Sequence, residues 1–300
     1  MYLKQRVDTQ CGAGLARIFS ASVLKELANK GYSSLAGTIL KETGLLPSID
    51  PSMSLRVFFE ELLQLLFRSY RSEYIYKNAI ANKILLGKHS INTSFMLTEF
   101  RVADCKADTV ILNGTSSVYE IKSQYDNLDR LKKQLSAYRR FFDNVHVITS
   151  SEQLQKVKDE IDEDVGLMVL NDRNTIKTER HARSLKKSVE PNIIFDSLRK
   201  YEYIEIIKAA YGHVPDVPNT RIFRECKNLF CELDPETAHN YMVKSLLQRG
   251  ECSTLREFIL DVPYSLKAAS LSCRFNLREK SAFLDVLNTD VQKSLLSVCM

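Results

Sequence analysis

ADTVILNGTSSVYEIKSQ, residues 107–124, holds two short apolar runs rich in β-branched and aromatic residues, joined across Asn113-Gly114. An Asn-Gly pair between two such runs predicts a β-hairpin. Asp108 stands at the edge of the first strand, and Glu120 and Lys122 flank Ile121 on the second. Side chains alternate along a strand, so Glu120 and Lys122 point to one side and Ile121 to the other. Asp108 and Glu120 lie at similar distances from the turn. Subject to register, the hairpin brings their carboxylates close enough to share a cation.

Working outward, SFMLTEFRV reads as a strand before the hairpin, and DNLDRLKKQLSAYRRFF follows it with Leu128, Leu131, Leu135, Tyr138 and Phe142 at steps of three and four. That spacing predicts a helix packed on a sheet. NVHVITS then reads as a strand, SSEQLQKVKDEID as a helix and VGLMVLND as a last apolar strand. Upstream, residues 15–46 predict two short helices broken near Gly31, SMSLRVFFEELLQLLFRSY a longer amphipathic one, and RSEYIYKNAIANKILLGKH another. The order α-β-β-β-α-β-α-β gives an α/β protein with a mixed sheet flanked by helices. RNTIKTERHARSLKKSVEP reads as a basic loop, and from about residue 192 the chain reads as helical, with a break at GHVPDVPNT. The expected division is a helical N-terminal region over 1–70, a core over 71–172, a basic linker over 173–191 and a helical C-terminal region over 192–300.

Carboxylates are the preferred ligands of hard ions such as Mg²⁺, which takes one or two of them beside substrate phosphate. Two acids and a lysine suit phosphodiester hydrolysis: the ion lowers the pKa of bound water, and Lys122 holds that water or neutralises developing charge.

An Asp on one strand and Glu-x-Lys on the next, Asp108 and Glu120-Ile121-Lys122 here, followed by an amphipathic helix, resembles the PD-(D/E)XK nuclease superfamily, over about the middle third of the chain. The resemblance implies a restriction-endonuclease-like αβββαβ core and a Mg²⁺-dependent nuclease, with Mn²⁺ able to substitute. DNA is the implied substrate, and compact members with added helices point to the bacterial and phage-borne branch. It also implies Asp108 and Glu120 as metal ligands with the Ile121 carbonyl as a third, and Lys122 as the water-positioning lysine. An acid from the preceding helix is implied at Glu73, and a glutamine from the following helix at Gln134. Ala107 stands where the family name has proline, and Glu99 and Asp104 are rival acids under a shifted register.

A formal charge of +5 over 300 residues is mildly basic. The cations at Arg173, Lys177, Arg180, Arg183, Lys186 and Lys187 offer phosphate contacts without base preference. Seven scattered cysteines with no C-x-x-C pair point to a reducing compartment, and no run approaches the roughly 20 apolar residues of a membrane span, so a cytoplasmic protein is expected. Cys226, Cys231, His239 and Cys252 lack paired zinc-site spacing. Gly12 and Gly14 have neither a strand before them nor a Gly-Lys-Ser/Thr after them, which excludes an ATP-type phosphate loop and a nucleotide cofactor. His181 and His213 have no nucleophile motif beside them. Cutting both strands of a duplex with one site per chain implies a homodimer. The competing reading is a nuclease-fold subunit that binds nucleic acid or protein without cutting.

Overall fold

The computed structural model describes residues 7–90, 92–250 and 253–296. Contacts divide the chain into two units, Met1–Gly87 with Cys252–Met300, and Lys88–Glu251. Cys252 and Cys299 lie outside the described residues.

The first unit is helical. Ser20, Ser33 and Ser54 each cap a helix by accepting a backbone N–H three residues on, starting Ala21–Lys30, Ser34–Glu42 and Leu55–Ser69. The first ends at Gly31, whose φ of +78° is open to glycine at little cost. Leu55–Ser69 buries Phe58, Phe59, Leu62, Leu63 and Leu66. Leu277–Val286 returns to pack on Ala21–Lys30, where Lys25 Nζ meets Glu279 Oε2 at 2.6 Å. Glu73–Ile80, expected to open the sheet domain, belongs here. Asn78 Nδ2 donates to the Tyr264 carbonyl (3.0 Å), and Tyr74 donates its hydroxyl to the Ser265 carbonyl (2.6 Å).

The second unit is built on a six-stranded sheet in the order β1 (Phe95–Val102), β2 (Cys105–Leu112), β3 (Ser116–Lys122), β4 (Asn144–Ser150), β5 (Gly166–Leu170) and β6 (Ile176–Arg180). β1, β2 and β3 form an antiparallel meander, β4 and β5 add parallel, and β6 closes antiparallel. The parallel steps need crossovers. Leu131–Arg139 supplies the one between β3 and β4, and Leu154–Glu160 the one between β4 and β5. Gly114 sits at φ +83° at the centre of the β2–β3 turn, where Leu112 pairs with Ser116.

One face of the sheet shares a core with the crossover helices and with helices of the 191–248 stretch: Val110, Val118, Val147, Leu135 and Tyr138 join Ile194, Phe195, Phe230 and Met242. On the opposite face His146 stacks on Tyr119, with centroids 4.8 Å apart. Gly166 lies opposite His146, where a Cβ would come within 2.5 Å of the imidazole.

Two sequence expectations change. The 173–191 stretch is not all loop, since Ile176–Arg180 is a strand with half-buried residues alternating with exposed ones. The C-terminal helices do not form one region either. Those up to Gln248 share the sheet's core, and those from Ser253 belong with the N-terminal helices. Among the described residues no helix is long and apolar enough to cross a membrane.

Candidate active site on the sheet

Register decides which acids meet. Thr109 pairs with Tyr119, so one rung further Asp108 faces Glu120. Thr98 pairs with Thr109 and Phe100 with Ala107, so Glu99 faces Asp108 from the other side. The register thus sets Glu99, Asp108 and Glu120 at one level across β1, β2 and β3. Asp104 lies in the β1–β2 turn, away from that level. Glu99 takes a left-handed φ of +55°, and a carboxylate oxygen of Glu99 lies within 4.8 Å of one on Asp108. Lys106 Nζ meets Glu99 Oε2 at 2.6 Å.

The β2–β3 backbone ladder ends at Thr109 and Tyr119. Beyond it, the Ile121 N–H donates to Asp108 Oδ2 at 2.8 Å, so a side chain takes over where a backbone carbonyl would have continued. Ile121 thus enters the site through its N–H.

Glu120 is 1% exposed. Lys122 Nζ donates to its Oε1 at 2.8 Å and to Gln134 Oε1 at 3.0 Å, while the Tyr138 hydroxyl lies 2.8 Å from its Oε2. Burial raises the Glu120 carboxyl above the usual carboxylate range, and Lys122 and the hydrogen bonds from Lys122, Tyr138 and Gln134 oppose that rise. Burial also pushes the Tyr138 phenol far above its ordinary value, with the Glu120 charge adding to the effect. Tyr138 stays a neutral hydroxyl. It also reaches the Lys106 carbonyl at 3.0 Å and so spans β2 and β3.

Asp108, Glu120, Lys122 and Gln134, four residues singled out by sequence, therefore lie along one stretch of the sheet and its crossover helix. Glu73 does not belong to this unit. It is exposed at its own helix start, with Lys77 Nζ at 2.5 Å from Oε1. Tyr138 was legible only as part of the apolar helix stripe, although its spacing of four from Gln134 places both on one helix face. Glu99 was legible only as a rival acid.

The basic stretch is largely satisfied within the protein. Lys177 pairs with Glu179 (2.9 Å), Arg183 with Glu163 (3.0 Å) and Lys186 with Glu236 (3.6 Å). Arg180 donates to the carbonyls of Val165 and Asp162, both at 2.9 Å. Arg173 and Lys187 are exposed.

Residues 67–262 match the sequence profile of the family described as Bacteriophage P4 protein cII. Protein cII of Enterobacteria phage P4 is 29% identical over 93 residues, covering 30% of this chain and 35% of that protein, so the aligned part spans about a third of the relative's length. Among solved structures, the SPO1766 protein of unknown function from Silicibacter pomeroyi aligns over 45% of this chain and 88% of its own, with 13% identity and a TM-score of 0.31.

Proposed function

The chain belongs to the Bacteriophage P4 protein cII family, and we propose that this member is a metal-dependent nuclease that hydrolyses phosphodiester bonds in DNA. Its core is of the PD-(D/E)XK type, β1 to β4 with the Leu131–Arg139 crossover. The observation that carries this reading is the buried Glu120–Lys122 pair facing Asp108. Two apolar side chains would hold a sheet as well as a buried ion pair does. A desolvated acid with a displaced pKa, beside a lysine and a second carboxylate, is the usual make-up of a hydrolytic centre.

The donor set fits a hard divalent cation. Glu99 and Asp108 hold carboxylates close together, and Glu120, across the rung from Asp108, is a carboxyl whose burial disfavours its charge while Lys122 supports it. Asp108, Glu120 and Glu99 would hold Mg²⁺ or Mn²⁺. When bound, the ion polarises the phosphodiester and acidifies a water. Lys122 places a positive charge where negative charge develops on phosphate, and Gln134 fixes the lysine head. Tyr138 holds the second oxygen of Glu120 in place.

One observation favours a second reading, that of a nuclease-fold subunit which binds without cutting: both oxygens of Glu120 already have partners inside the protein. The test is incubation of the purified chain with supercoiled plasmid, linear duplex, single-stranded DNA and RNA, in Mg²⁺, Mn²⁺ or EDTA. The nuclease reading expects metal-dependent cutting of DNA. Folded protein that binds these substrates and cuts none of them supports the second reading.

A further inference from the structure

We propose that the exposed surface where helices Lys200–Tyr211 and Asn219–Cys231 begin is a docking surface for single-stranded DNA. It goes beyond the nuclease reading, because it requires no cleavage.

Residues 199–201 and 219–224 hold four cations, Arg199, Lys200, Arg221 and Arg224, and no acid. Lys200 Nζ contacts Asn219 Oδ1 and so ties the two helix starts together. Arg221 has no side-chain partner among the described residues, and Arg224 pairs only with its neighbour Glu225, at 3.2 Å. Two large aromatic side chains stand among these cations and remain in water, Tyr201 at 55% exposure and Phe223 at 48%.

Neither ring is loose. Phe223 lies edge-on to Phe195, with centroids 5.3 Å apart, and against Tyr203 at 6.0 Å. The Tyr201 hydroxyl accepts from Arg199 Nη1 at 3.1 Å and lies 3.2 Å from Glu202 Oε1. Glu202 is buried and clamped by Arg249 through contacts of 2.6 and 2.7 Å, so its charge is neutralised from within. Rings fixed beforehand lose little entropy on binding.

Cations with interspersed, open aromatic faces fit a strand that presents phosphates and unstacked bases together. A duplex keeps its bases stacked and offers the phosphates alone. The 173–187 stretch has no Phe, Tyr or Trp, and most of its cations are spent on protein groups. The docking surface also adjoins β1. Ser197 Oγ donates to the Arg101 carbonyl at 3.4 Å, and the Arg249 guanidinium lies 5.8 Å from the Phe100 ring centroid, one residue beyond Glu99.

The experiment is fluorescence anisotropy of the full chain with a labelled single strand of about 16 nucleotides, alongside the same sequence as a duplex. It is run in EDTA so that loss of binding is read separately from loss of cutting. The single strand is expected to bind more tightly than the duplex. Tyr201→Ala and Phe223→Ala should each weaken single-strand binding by about tenfold, while Tyr201→Phe keeps it. Arg221→Ala should weaken both ligands and lower the salt slope by about one. Circular dichroism checks folding, and Tyr201→Ala is the arm that removes no core contact. Alanine variants that bind the single strand as wild type does overturn the proposal, and so does a duplex bound as tightly as the single strand.

Discussion

The sheet unit carries two charged regions that differ in what their charges do. Along β6 and the residues after it, cations are numerous, and they are mostly exposed and satisfied by nearby acids or carbonyls. At the β2–β3 hairpin there are few charges, yet Glu120 and Lys122 are buried and bound to each other, with Gln134 and Tyr138 completing the set. Charge density along a sequence therefore marks a solvated surface here. A built site is marked by charge taken out of water at a cost and held in one geometry.

The comparison breaks first at Lys122. Lys122→Ala leaves Glu120 buried without its cation and should cost about 3–5 kcal/mol in urea unfolding. A loss under about 1 kcal/mol would make the cluster no different from a surface pair.

Acid should expose a second buried layer. His146 and His239 are buried and neutral, and desolvation lowers both to about 4 from an ordinary 6.5. His239 Nε2 is held by Ser116 Oγ at 2.7 Å. Below pH 6.5 the unfolded chain takes up protons that these folded imidazoles refuse, so stability falls as pH drops from 6.5 towards 4. Each histidine should cost about 2 kcal/mol between pH 7 and pH 5. His146→Phe, which keeps a ring on Tyr119, should flatten its share of the slope in denaturation series at the two pH values. An unchanged slope would mean that the imidazole is protonated in the fold.

Tyr138→Phe sharpens the contrast by removing one hydroxyl next to Glu120. It should cost about 1–2 kcal/mol in the same unfolding assay. At the other extreme, Lys177→Ala and Arg183→Ala should each stay within about 0.5 kcal/mol of wild type. A larger loss there would show that the β6 region is a structural network rather than a solvated face.

Much of the sheet was legible because its strands are strongly apolar and punctuated. β1 to β5 and the Leu131–Arg139 helix stand where alternation, Asn113-Gly114 and the leucine spacing put them. β6 escaped because Ile176-Lys177-Thr178-Glu179-Arg180 is charged on its exposed side and only half-buried on the other, so its polarity reads as loop. The two-unit division escaped for another reason. Apolar helix faces state that they must be covered, not by what, and only the fold brings Leu277–Val286 back to Ala21–Lys30.

At the site, Asp108, Glu120 and Lys122 were visible because strand alternation puts charges on a face. Their partners depended on facts that no short stretch contains. The rung that sets Glu99 opposite Asp108 is a matter of strand register. Tyr138 has an apolar body that fits the helix stripe, and its hydroxyl finds Glu120 only when the crossover helix lies on β3. Glu73, which the resemblance implied as the acid from the preceding helix, stands on a helix held within the other unit through Asn78 and Tyr74.

The most direct test of the central claim measures plasmid cleavage and DNA affinity together, on matched preparations of wild type and Asp108→Ala, in Mg²⁺ and in EDTA. The account predicts that wild type cuts only with the metal ion, and that Asp108→Ala abolishes cutting while binding DNA as well as or better than wild type, since one carboxylate no longer repels phosphate. Cleavage that persists in Asp108→Ala, or a folded wild type that binds DNA and leaves it intact with every metal ion, would contradict it.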